Sequence, residues 1–202
     1  PGAGTSGGQS DAVIFSMTPN LQNLRWSRFL GGSGKEAGSG IKVANNGKVY
    51  VTGATSSNNF PNTAGGKYPN FMGGMDGFVT RLSASGAIEQ STYLGTNQND
   101  QSFFIDIDKY GGIYVFGQTF GLWPIKPSSV WSTPSGGQFI QKYNSNLSNT
   151  IFSTKFGTAN NSINIVPTAF NVDECLNILM SGWGGETNQG GGAGGNTNGL
   201  PT

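Results

Sequence analysis

The chain has 202 residues, 34 of them glycine, with 11% aromatic and only 10% charged residues. Low charge with many aromatics is the reverse of a disordered composition, and 11 basic against 10 acidic residues, with no basic cluster, exclude a nucleic-acid footprint. The absence of histidine and the single cysteine, Cys175, remove Ser-His-Asp and Cys-His catalysis, His-ligated metal sites and any disulfide within the chain.

In chain order, residues 1–10 (PGAGTSGGQS) lack the basic start and apolar centre of a signal peptide and read as a linker or cleaved terminus. Residues 11–75 form a first unit. A strand at Val13 to Met17 runs into the turn TPNLQN, then the strand LRWSRFL. A third strand begins at Ile41, turns at ANNGK, and leads to a fourth in which Val49 and Val51 share one face. A long loop from Thr55 to about Asp76 follows. The second unit, residues 76–136, repeats the pattern as FVTRL, SASGA, IEQSTYL, a third strand from Ile105, DKYGG, and a fourth strand with Ile113 and Val115. The third, residues 137–187, reads FIQKY, NSNLSN, TIFSTKF, a third strand from Phe170, DECLN, and Ile178 with Met180. Residues 188–202 are a Gly/Asn-rich loop leading into a truncated fourth unit. No apolar run approaches the roughly 18 residues of a membrane span.

Three anchors measure the repeat. Gly53, Gly117 and Gly182 are 64 and 65 apart, and Gly31, Gly95 and Gly157 are 64 and 62 apart. Val13, Phe78 and Phe139 give 65 and 61. The period is therefore about 64 residues. Phe60-Pro61 and Trp123-Pro124 mark the loop's return, 63 apart, and Leu200-Pro201 follows 77 later. The expected fold is all-β: three four-stranded antiparallel blades of a β-propeller, forming part of a larger ring, since propellers typically have four to eight blades.

The segments DGFVTRLSASGAIEQSTYLGTNQND, IYVFGQT and SGIKVANNGKVYVTGATSSNNFP resemble the bacterial β-propeller repeats called SBBP repeats. The resemblance spans about Asp11 to Trp183 and is sharpest in the second unit. The stretch SGWGGETNQGGGAGGNTNG is similar to parts of large surface proteins of gliding Bacteroidetes, many exported by the type IX system. These resemblances imply an exported, cell-surface or secreted protein.

Few residues offer chemistry. Asp11 and Asp76 precede the first strand of their units and suit either a cation or the capping of a turn, with capping the better fit for isolated carboxylates. Asp106 and Asp108 alternate on a predicted strand, and Asp108 and Asp173 are repeat-equivalent. A paired-acid glycosidase site is one reading, and solvated strand-end or turn acids are the simpler one. Trp123, Trp131 and Trp183 lie in or beside long loops, where aromatics stack on sugars, anchor a partner, or pack the loop down. Trp26 reads as core or interface. Cys175 sits in the turn between the third and fourth strands, with Asp173 and Glu174 as neighbours and nothing nearby to activate its thiol, and reads as inert or as paired with a cysteine outside this segment.

The expectation is a non-enzymatic scaffold that binds a protein partner or surface glycan through loops bearing Trp123, Trp131 and Trp183, with no cofactor and no catalytic or metal residues. It belongs at the cell outer surface, in adhesion or gliding. A carbohydrate-binding or carbohydrate-active propeller is the alternative, and a structural spacer in a long surface chain the third reading.

Overall fold

The computed structural model describes residues 7–133, 135–157, 163 and 165–183. The linker through Ser6, the Gly/Asn-rich segment 188–202 and the Leu200-Pro201 marker lie outside the described residues. Regular structure among those described is all β. In order it comprises β1 (Ala12–Met17), β2 (Leu24–Leu30), β3 (Glu36–Val43), β4 (Val49–Thr55), β5 (Asp76–Leu82) and β6 (Ile88–Leu94). It continues with β7 (Asp100–Ile107), β8 (Ile113–Thr119), β9 (Gln138–Tyr143), β10 (Thr150–Phe156), β11 (Val166–Val172) and β12 (Ile178–Trp183). No helix among the described residues is long and apolar enough to cross a membrane.

Every ladder between these strands is antiparallel, but the sheets do not coincide with the sequence units. The strand orders are β1-β2, β3-β4-β5-β6, β7-β8-β9-β10 and β11-β12. Each four-stranded sheet thus joins the last two strands of one sequence unit to the first two of the next. The long loop after β4 therefore connects neighbours within a sheet, whereas the short segment after β6 crosses between sheets. The third strand of each unit also starts four or five residues earlier than the apolar alternation indicates. A register shift accounts for this: Gly38/Gly40, Ser102/Phe104 and Pro167/Ala169 interrupt the ladder at equivalent places. Such a bulge re-aims the side chains and breaks the period of two.

The hairpin turns share one geometry. Residue i accepts from the N–H of residue i+3 at Ala44/Gly47, Ser83/Gly86, Asp108/Gly111, Thr18/Leu21, Asn144/Leu147 and Asp173/Leu176. The last residue always has positive φ, glycine in three turns and leucine, at 58°, 62° and 68°, in the others. A left-handed leucine costs about 1–2 kcal/mol in backbone strain. Leu147 offsets it by burying its side chain completely, while Leu21 is 71% exposed.

The sheets stack face to face around three cores. The first joins β1-β2 to the next sheet through Ala12, Ile14, Leu30, Val49, Val51 and Phe78. The second joins the two complete sheets through Tyr50, Val79, Leu94, Ile113, Phe139 and Tyr143. The third joins β7–β10 to β11-β12 through Tyr114, Phe116, Ile140, Phe156, Phe170 and Val172. The central strands are buried on both sides, so Val49 and Val51 face one core and Tyr50 the other. Gly53 lies opposite Phe78, and Gly117 opposite Phe139. A Cβ at either glycine would overlap both that ring and the carbonyl of Ala37 or Gln101, so the aromatic needs glycine across from it.

Replacing Leu21 by glycine relieves strain with little loss of packing and is expected to raise stability by up to about 1 kcal/mol. Leu147→Gly is expected to lower it by about 2–4 kcal/mol, because the cavity outweighs the relaxed backbone. Urea unfolding of the two variants checks the opposite signs.

Candidate functional site

The half-sheet β11-β12 covers only part of the face that β7–β10 presents. Over β9 and β10 a cavity of about 480 Å³ remains. Ile140, Phe152 and Phe156 form its floor, Ile178 and Met180 of β12 one wall, and Val130 with Trp131 the other. Nearly all of its lining is carbon, with Ser129 and Thr154 as the hydroxyl-bearing residues. The Pro127–Trp131 loop is held in place by backbone bonds between Lys126 and Ser153, by Lys126 Nζ donating to the Thr150 carbonyl at 2.5 Å, and by the Thr154 hydroxyl donating to the Trp131 carbonyl. The outer edge of β12 pairs with no strand among the described residues. This is an apolar groove beside an open strand edge.

The tryptophans named from the sequence separate. Trp131 is 45% exposed and lines the groove, its ring 6.1 Å from that of Phe156. Trp183 ends β12 opposite Val166 and is 52% exposed. Trp123, by contrast, is buried: its ring stacks on Phe139 at 3.7 Å between centroids, and its indole N–H donates to Ser153 Oγ at 2.9 Å. It cannot meet a partner, and it corresponds to Phe60, which packs 4.6 Å from Phe78 in the preceding sheet. Trp26 lies at an interface, donating to the Ala84 carbonyl and covering the turn at Gly86.

Asp108 and Asp173 are turn acids, Asp173 at the surface and Asp108 buried, whereas Asp106 is no solvated strand-end group. Asp106 is 5% exposed and ties three sheets together. One oxygen pairs with Lys42 of β3 at 3.1 Å, and the other accepts from Asn171 and from the Val172 N–H of β11 at 3.0 and 2.8 Å. Asp108 lies just past β7, accepts from the N–H groups of Tyr110 and Gly112, and pairs with Lys142 at 2.7 Å. Burial pushes its pKa up, but Lys142 and the two turn N–H groups outweigh it and hold the carboxyl below its ordinary value. Asp173 plays the same turn role toward Cys175 and Asn177. Asp108 and Asp173 stand in different turns with separate partners and form no paired-acid site. Cys175 is exposed.

Asp11 and Asp76 do cap turns, accepting from the N–H four residues earlier, Gly7 at 2.7 Å and Met72 at 2.8 Å. Each lies close to a second acid that sequence reasoning missed, Glu36 or Asp100 at the start of the third strand. Glu36 accepts from the Gly32 N–H and Asp100 from the Thr96 N–H, again four residues back. The repeat offset was the available signal: the acids recur 25 and 24 residues after Asp11 and Asp76. Gly31 and Gly95 make the room, since a Cβ there would overlap the carboxylates. Among the described residues, no group of three or more acids and cysteines is placed to hold a metal ion.

No family model matches the chain. Over 160 residues, 76% of this chain, it is 28% identical to the regulatory protein FlaEY of Caulobacter vibrioides. The aligned part spans 16% of that protein's length.

Two outcomes are expected. Burial, aided by the neighbouring Asp100 charge and opposed by the Met72 N–H, pushes Asp76 up to about 7. Burial raises Asp100 as well. The folded chain then holds protons that the unfolded chain releases near pH 4, so this contribution to stability is full below that pH and fades as the pH rises toward 7. Asp76→Asn should flatten that slope in melting temperatures measured from pH 4 to 8. Trp123→Ala should cost about 3–5 kcal/mol in urea unfolding, while Trp131→Ala should cost less than about 1.5 kcal/mol.

Proposed function

We propose that the chain is a non-enzymatic β-propeller module of an exported bacterial cell-surface protein, one that holds a protein partner in the groove beside β12. Successive four-stranded antiparallel sheets packed face to face, with the resemblance to SBBP repeats, support reading the sheets as blades. The observation that carries the binding role is the groove itself. It combines an apolar cavity with a strand edge that pairs with no strand among the described residues, the combination that receives an added β-strand. Adhesion or gliding at the cell surface fits such a scaffold, as does a place in a longer assembly.

The carbohydrate reading draws on two exposed rings, Trp131 and Trp183. It suits the groove less well, because sugar hydroxyls need convergent polar groups and the lining is nearly all apolar. A photo-crosslinking side chain at Met180 distinguishes the two. We expect a discrete protein adduct from a cell-surface fraction, competed by unlabelled chain and lost in Ile140→Asp, with no binding on a glycan array. Glycan binding that falls in both Trp131→Ala and Trp183→Ala would overturn the protein reading. Polysaccharide hydrolysis lost in Asp108→Asn would overturn the non-enzymatic one.

A further inference from the structure

At the start of β7 and the end of β8, one rung of the sheet departs from the repeat. Gln101 of β7 stands directly opposite Gln118 of β8. The equivalent rung is Ala37 opposite Ala54 in β3-β4, and Val166 opposite Trp183 in β11-β12. The fold makes no demand for carboxamides here, since two alanines fill the same place one unit earlier. Three flanking positions change as well. Met75, Asn99 and Phe120 stand where the first unit has Ser10, Lys35 and Ser56, which lie 65, 64 and 64 residues earlier. Together with Ile163, these five residues line a cavity of about 130 Å³.

Their hydrogen bonds hold the pocket in shape and leave a defined remainder. The Met75 N–H donates to Asn99 Oδ1 at 3.0 Å, and the Phe120 N–H donates to the Asn99 carbonyl at 3.1 Å. Asn99 thereby joins the end of the loop after β4 to the segment after β8. Gln118 Nε2 donates to the Ile165 carbonyl at 3.1 Å. Gln101 Nε2 has the Met75 thioether sulfur, a weak acceptor, at 3.0 Å. Unspent among the described residues are two acceptors, Oε1 of Gln101 and Oε1 of Gln118, and one donor group, Nδ2 of Asn99. None of the six lining residues is ionisable, so a charged ligand would give up its hydration without gaining a counter-charge.

A primary carboxamide is the complement of that remainder. Its nitrogen carries two N–H donors for the two glutamine oxygens, and its carbonyl accepts from Asn99. Met75, Phe120 and Ile163 supply carbon for an aliphatic stem. Sites that take a whole small molecule have volumes of roughly 300–1,000 Å³. A cavity of about 130 Å³ suits one side chain carried by a larger molecule. We propose that this pocket receives the side chain of a glutamine or asparagine from a protein partner. The contact is independent of the groove beside β12, and it selects for sequence where the groove selects for apolar surface.

The test uses the 202-residue chain, isotope-labelled, and follows the side-chain NH₂ signals of Asn99, Gln101 and Gln118 by NMR. The probes are N-acetyl-glutamine methylamide, its glutamate counterpart and methyl α-glucoside. We expect the glutamine probe to shift all three signals saturably. The glutamate probe at neutral pH should bind about tenfold or more weakly, because a carboxylate has no donor and would face two carbonyl oxygens. Gln101→Ala with Gln118→Ala copies the alanine rung of the first unit, so the double variant should fold, as circular dichroism would show. Its Asn99 signal should then no longer respond. Should that variant fail to fold, the comparison of glutamine with glutamate on the unaltered chain still decides. Silence at these signals, equal response to the two amino-acid probes, or a response that survives in the folded double variant overturns the proposal. A stronger response to methyl α-glucoside does so too, by making the pocket a sugar site.

Discussion

The structure depends on strands that have no wet side. In β4, β5, β8 and β9 nearly every residue is buried, so each complete sheet offers an apolar surface in two directions and is stable only between neighbours. Hydrophobic contact sets the spacing but not the alignment of one sheet on the next. Buried polar groups supply that. Ser102 of β7 donates to the Gly53 carbonyl of β4 at 2.6 Å, and Thr52 Oγ1 lies 2.7 Å from the same serine hydroxyl. Asp106 reaches Lys42 on one side and Val172 on the other. A sliding sheet would strand these groups without partners, which costs more than the bonds are worth when made.

Much of this is written in the chain. The spacing of Gly53, Gly117 and Gly182 follows from the need for glycine opposite an aromatic ring, so a steric rule appears as a ruler. The turns are legible for the same reason where glycine ends them. They are less so at Leu21, Leu147 and Leu176, which adopt the same left-handed backbone without the residue that signals it. The early starts of β3, β7 and β11 were hidden because a bulge removes the alternation by which strands are recognised. What periodicity cannot give is phase. Four strands in a repeat can be grouped into sheets at any starting point, and only the ladders show that β4 belongs with β5.

The groove was legible only in fragments. Trp131 and Trp183 stood out as aromatics beside long loops, and both are exposed, but only Trp131 lines it. Trp123 stood out equally and is core, because the loop bearing it folds back across β9 to stack on Phe139. Local sequence does not record whether a loop returns. The acids misled in the other direction: Asp106 has the look of a solvated residue, and its partners lie 64 residues before it and 65 and 66 after it, on separate sheets.

The offset between sequence unit and sheet resembles brickwork laid in overlapping courses. The chain's long joints, the loops after β4 and β8, fall in the middle of sheets, where a ladder of hydrogen bonds spans them. A break in the covalent chain at such a joint leaves the two pieces still zipped together. It also means that a 64-residue unit cut out on its own sequence boundaries would be two unlike half-sheets, each missing the strands its neighbours supply. The repeat is thus a unit of inheritance but not of folding, and lengthening such a chain one unit at a time keeps every interior sheet whole.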